Sequence, residues 1–168
     1  MRINSRDELN HLQEYYSSRV NAQKKRILVC AGTGCVAGGS LLIYDRLKEL
    51  MEEKGICCEV VLEEEPHDPS LHSAGNDGCG CKDQPVGLKK SGCHGFCEMG
   101  PLLRIDPEGL LYIKVKVEDC EEIIERSILK DEIVEHLVYQ DQSLKSYPKQ
   151  EDIPFYKKQT RVALEYCG

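Results

Sequence analysis

Two pairs of cysteines, each set among glycines at the end of an apolar run, constrain this chain more than any other feature. Cys30-x4-Cys35 lies in VCAGTGCVAGG, at the end of the run over 26–30, and Cys93-x3-Cys97 lies in SGCHGFCEMGP, after the run over 86–90. Read as parallel strands, the two runs deliver their loops to the same end of a sheet, where four thiolates can converge. The glycines at 32, 34, 92, 95 and 100 suit that chemistry. A metal centre needs close backbone approach and N–H groups aimed at sulfur.

Ten cysteines in 168 residues is a high density. The N-terminus MRINSRDELNHLQEYY has no apolar leader, and no window approaches about eighteen apolar residues. We therefore expect a cytoplasmic chain without a membrane segment. In a reducing compartment, clustered cysteines serve metal ligation or redox chemistry, with a disulfide scaffold as the alternative. A net charge of −7 argues against nucleic acid, and Lys24-Lys25-Arg26 reads as a solvated strand entrance. The length allows one core with extensions.

Ser5-x-x-Glu8 matches a capping box, and Leu9, Leu12, Tyr16 and Val20 share a helical face, so residues 6–22 read as an amphipathic helix packed on its own domain. After the strand over 26–30, Ser40 can cap a helix lined by Ile43, Leu47, Leu50 and Met51 and closed by Gly55. Residues 57–62 read as a second strand, parallel to the first through a right-handed crossover. Residues 63–85 are acidic, rich in Gly and Pro and without period, hence a long loop. The runs over 101–105 and 110–115 flank Asp106-Pro107-Glu108-Gly109 and predict a hairpin. Residues 118–130 predict a helix with Cys120, Ile123, Ile124, Ser127 and Ile128 inward, and 140–152 read as a polar linker.

Three chemistries compete for the cysteine loops. A structural zinc site accepts ligand spacings near these, which would make the chain a non-redox interaction module. Gly32-x-Gly34-x-x-Ala37 imitates a dinucleotide turn, with Glu63 placed to meet a ribose, but two thiols serve no purpose beside a pyrophosphate. An iron–sulfur cluster is the third. Neither the plant-type C-x4-C-x2-C run nor a C-x-x-C dithiol occurs.

The two loops together, Cys30-x4-Cys35 and Gly92-Cys-His-Gly-Phe-Cys-Glu-Met-Gly-Pro101 before a hairpin, resemble the thioredoxin-like [2Fe–2S] ferredoxin family over roughly residues 24–130. The resemblance implies an α/β thioredoxin-like ferredoxin fold, with a mixed sheet, helices on its faces, an N-terminal amphipathic helix and a C-terminal linker. It also implies one [2Fe–2S] cluster held by Cys30, Cys35, Cys93 and Cys97, and a one-electron relay.

The tail, from Ile153-Pro154-Phe155-Tyr156 to Cys167-Gly168, looks like the opening of the NADH-binding flavoprotein subunit of complex I. Versions fused to a ferredoxin domain occur as β subunits of NAD-dependent and electron-bifurcating [FeFe] hydrogenases and in related formate dehydrogenases. The chain then reads as the front of a longer subunit: 1–23 a helical extension, 24–139 the cluster domain with 63–85 inserted, 140–168 a linker and the start of a flavoprotein domain. FMN, NAD and [4Fe–4S] sites would lie beyond it. The implied partners are a hydrogenase or dehydrogenase catalytic subunit and a small [2Fe–2S] subunit.

Cys79 and Cys81, with His67 and His72 nearby, could form a second metal site, although an exposed loop is the simpler expectation. Cys57, Cys58 and Cys120 are expected as small buried hydrophobes. His94 stands between two candidate ligands, where it could tune the cluster or serve only the loop.

Overall fold

The computed structural model describes residues 3–60, 85–160 and 162. The expected insertion therefore lies outside the described residues except for Pro85, as does most of the tail beyond residue 160.

Helix α1 (Arg6–Ala22) begins as its sequence predicts. Ser5 Oγ accepts the Glu8 N–H (3.1 Å), and the Glu8 carboxylate accepts the N–H of Asn4 (2.7 Å), one residue earlier than a standard capping box. Leu9 is 51% exposed, and the side chains of Tyr16 and Val20, half of the predicted apolar face, lie outside what the structure describes.

Strand β1 (Lys25–Cys30) runs through a short helix α2 (Thr33–Ala37) into α3 (Ser40–Glu53). Ile43, Leu47, Leu50 and Met51 are buried as predicted, and the Ile56 N–H returns to Met51 O (2.9 Å) around Gly55 to close the helix. Ser40 does not cap; the cap position is Gly39, and Ser40 is fully buried inside the first turn.

The sheet has the order β2-β3-β1-β4-β5. Here β2 is Cys58–Val60, β3 is Val86–Ser91, β4 is Leu103–Asp106 and β5 is Leu110–Tyr112. The second strand is parallel to the first but not beside it, because β3 lies between them. Among the described strands β2 pairs with β3 alone, whereas β3, with Val86 and Leu88 buried, lies inside the sheet. The predicted hairpin forms from β4 and β5, antiparallel to each other and to β1. Parallel β1 and β3, the β4–β5 hairpin beside β1, and a closing helix make an α/β thioredoxin-like topology with a mixed sheet. That closing helix, α4 (Cys120–Glu122), continues as π-helical turns over Ile123–Leu129.

Side-chain alternation divides the sheet into two faces. Ile27, Val29, Leu88, Leu103, Ile105, Leu110 and Tyr112 face α3 and α4 with Leu47, Ile123 and Ile124. Leu111, together with Cys30 and Leu102 at the strand ends, belongs to a second apolar cluster that includes Phe96, Ile153 and Tyr156.

The stretch expected as a linker is packed on the domain. Strands β6 (Tyr139–Gln140) and β7 (Ser146–Tyr147) pair, the Leu111 N–H bonds to Pro148 O (2.8 Å), and the Gln150 N–H bonds to Gly109 O (2.9 Å). Its polar side chains concealed a backbone that continues the hydrogen bonding of β5. A last helix, α5 (Pro154–Lys157), rests on the second apolar cluster.

Tyr112 anchors the core from inside. Its fully buried hydroxyl shares a hydrogen bond with Ser127 Oγ (2.6 Å) and accepts the Val134 N–H (2.9 Å). Tyr112→Phe leaves that N–H unpaired in the interior and is expected to cost about 1–3 kcal/mol, read as a lowered urea midpoint.

Candidate metal centre

Cys30 is the last residue of β1 and Ser91 the last of β3, and the register sets them opposite each other. Both strands therefore end level, and both glycine loops leave from one edge. The Cys30 N–H bonds to Leu102 O (3.0 Å) and the Ala31 N–H to Ser91 O (3.0 Å), tying three chain segments together at this point.

The loops interlock through glycine. A Cβ on Gly32 would stand 3.1 Å from Cys93 Cβ and 3.2 Å from its Sγ, and one on Gly34 would stand 3.3 Å from Cys97 Cβ. In the reverse direction, a Cβ on Gly100 would come within 2.9 Å of Cys35 Sγ. Cys93 and Cys97 thus rest against glycines of the first loop and Cys35 against a glycine of the second, and no larger residue fits at those positions without displacement.

The four thiols are unequally exposed. Cys30 and Cys35 are each 1% exposed, Cys93 is half-buried and Cys97 is exposed. Cys93 Sγ and Cys97 Sγ are 4.0 Å apart, and the Gly95 N–H points at Cys93 Sγ (3.3 Å). Burial pushes the Cys35 thiol up to about 12, reinforced by the Cys30 thiol beside it. Cys97 is raised by its hydrogen bond with Cys93 first and then by that neighbour's charge. Among the described residues, no three His, Cys, Asp or Glu side chains form a group able to hold a single metal ion.

The structure brings all four candidate ligands to one end of the sheet. His94 is buried (1% exposed), its Nε2 within 2.8 Å of Ser91 Oγ, so it braces the loop from inside. Cys120 is fully buried in the helical core, as expected, and Cys58 is half-buried. Cys57 departs from expectation: it is disulfide-bonded, while Cys30, Cys35, Cys93, Cys97 and Cys120 are free thiols. His67, His72, Cys79, Cys81 and Cys167 lie outside the described residues. The described helices include none long and apolar enough to cross a membrane.

Sequence reasoning missed the aromatic lid. Phe96, one residue before Cys97, stacks on Phe155 (4.6 Å between centroids, 12° between planes) and meets the edge of Tyr156 (5.7 Å, 80°). The chain has two phenylalanines, and they stack on each other. That scarcity was the available signal.

Cys35 and Cys120 share a consequence. Each is pushed by burial to about 12, above the ordinary 9.0. The unfolded chain releases these protons near pH 9 and the folded chain does not, so the stability they confer is fully present below pH 9 and lost as pH rises towards 12. In chelator-treated protein the urea midpoint is expected to fall across that range. Cys120→Ala should flatten the fall by about 1.4 kcal/mol per pH unit; a slope equal to that of the unsubstituted chain would contradict the assignment.

The chain matches no family model. It is similar to a 2Fe-2S ferredoxin of Clostridium pasteurianum, 40% identical over 52 residues, which is 31% of this chain and 51% of that protein. It is similar also to a 2Fe-2S ferredoxin of Aquifex aeolicus, 44% identical over 51 residues, 30% of this chain and 46% of the other. The chain thus spans about half the length of the curated relatives it matches. Among solved structures, the wild-type thioredoxin-like [2Fe-2S] ferredoxin from Aquifex aeolicus aligns with 71% of this chain and 99% of its own. The identity is 24% and the TM-score 0.49.

Proposed function

We propose that this chain is an electron-transfer domain that holds a [2Fe–2S] cluster through Cys30, Cys35, Cys93 and Cys97. The observation that carries the reading is the interlocking of the two loops, with Cys93 and Cys97 against Gly32 and Gly34 and Cys35 against Gly100. A binuclear centre asks for two thiolates at each of two irons, and Cys30, Cys35, Cys93 and Cys97 are four free thiols at the ends of β1 and β3. The 2Fe-2S ferredoxins similar to the chain support the same reading.

When bound, such a cluster accepts and returns one electron at a time. The residues around it do the rest. Phe96 and Leu102, both buried, keep water from the inner pair. The Gly95 N–H, aimed at Cys93 Sγ, favours added negative charge on that sulfur. Exposed Cys97 brings the edge of the site to the surface, where a redox partner can approach.

The resemblance of the tail to a flavoprotein subunit extends the proposal. The relay would serve an NADH-linked multi-subunit oxidoreductase, of the electron-bifurcating hydrogenase β-subunit kind, with catalytic and small [2Fe–2S] subunits as partners. The parent subunit, isolated whole, should then show visible bleaching on addition of NADH.

The direct test is anaerobic reconstitution with iron and sulfide. The expected product absorbs in the visible and bleaches with dithionite. Alanine at Cys30, Cys35, Cys93 or Cys97 should abolish or greatly weaken the absorption, while Cys120→Ala should keep it. A colourless protein retaining one zinc would replace the relay with a zinc-stabilised interaction module, and full occupancy in Cys97→Ala would overturn the ligand set.

A further inference from the structure

The loop carrying Cys93 and Cys97 has local hydrogen bonds of its own: His94 with Ser91, the Gly95 N–H to Cys93 Sγ, and the Met99 N–H to Phe96 O (3.0 Å). From outside the loop, the Ala31 N–H reaches Ser91 O (3.0 Å), the Lys114 N–H reaches Met99 O (2.8 Å), and, from 62 residues away, Tyr156 Oη donates to His94 O (3.1 Å). Tyr156 is 9% exposed, and its ring stands at 78° to that of Phe155 (5.2 Å), so three aromatic rings, 96, 155 and 156, touch one another. Phe96 also meets Tyr139 (5.5 Å).

The segment that delivers Tyr156 is itself held by the sheet. Gln150 bonds through its backbone to Gly109 and through its side chain to Arg104 Nη1 (3.2 Å). Ile153 is fully buried against the cluster that contains Leu111 and Cys30. A rigid hairpin on one side and a glycine-rich loop on the other are therefore joined through α5.

We propose that Tyr156, with Phe155, is a positioning residue for the Cys93/Cys97 loop, and that α5 is a clamp on the candidate metal centre. Phe96 is fixed between the rings, the backbone on both sides of it is fixed with it, and the two outer thiols inherit their separation. The consequence for a bound cluster rests on the relay reading, but the positioning itself does not require the cluster.

The test uses Tyr156→Phe, which removes only the hydroxyl, and Phe155→Ala, which removes a ring that is 37% exposed and leaves no core cavity. In chelator-treated protein, hydrogen–deuterium exchange over residues 92–97 is expected to quicken about fivefold in Tyr156→Phe, the loss of one hydrogen bond, with exchange over β1 unchanged. In reconstituted protein the same variants should lose the cluster to an iron chelator faster by a similar factor. Their visible circular dichroism and midpoint potential should also move. Tyr112→Phe, which removes a hydroxyl from the side of the sheet that faces α3 and α4, is expected to leave the cluster-loss rate and the visible spectrum at the wild-type value.

Wild-type exchange over 92–97 in both variants would overturn the proposal. So would a loosened loop that leaves cluster loss and spectrum unmoved. If the wild-type chain takes up no cluster, the relay reading falls and the exchange measurement alone decides the clamp.

Discussion

The parallel register of β1 and β3 is the constraint on which the site depends. Pairing Lys25 with Val86 at one end obliges Cys30 to meet Ser91 at the other, and both cysteine loops begin from that line. A slip of one residue would turn Ile27 and Val29 away from α3 and carry the second loop about 3.3 Å along the first. The apolar residues that face the helices therefore align the thiols, although none of them touches a thiol. Core and site are two readings of one register.

That same alternation explains the uneven exposure of the cysteines. Cys30 ends β1 on the face away from α3 and α4, where Leu111, Ile153 and Tyr156 close over it. Cys35, one helical turn further, is enclosed by Leu102 and by the Gly100 backbone. Cys93 and Cys97 lie on a loop that projects past the sheet and keep solvent on one side. Binding of a metal at Cys35 must displace a proton that burial holds tightly.

Much of this was legible in the chain before any coordinates. The strand ends at Cys30 and near Ser91, the apolar face of α3, the hairpin around Asp106-Pro107 and the inward face of residues 120–128 all follow from local periodicity and turn chemistry, which the tertiary structure had no reason to override. The insertion of β3 between β1 and β2 was not legible, because strand order depends on which segment buries both faces, a comparison no local pattern makes. Residues 140–152 were misread for a related reason. Their polar side chains describe solvent exposure, whereas their backbone bonds to Gly109 and Leu111 are a property of the partner strand. In α1 the pattern marks the helix correctly; amphipathic spacing shows which face is apolar, not what covers it.

Cys35 and Cys120 mark how far a single perturbed group can be taken. Burial raises both thiols to about 12. Around Cys120 the neighbours are the carbonyls of Ile43 and Lys116, each 3.8 Å from its sulfur, so it is a weak donor satisfied within a helical core. Around Cys35 the neighbours are another thiol and a glycine whose missing side chain leaves the sulfur room. The perturbation is the same and the surroundings differ, so desolvation alone does not distinguish a structural cysteine from a ligand. What distinguishes them is company: a second sulfur within reach, backbone amides free to approach, and a loop held still enough that the arrangement persists when charge arrives.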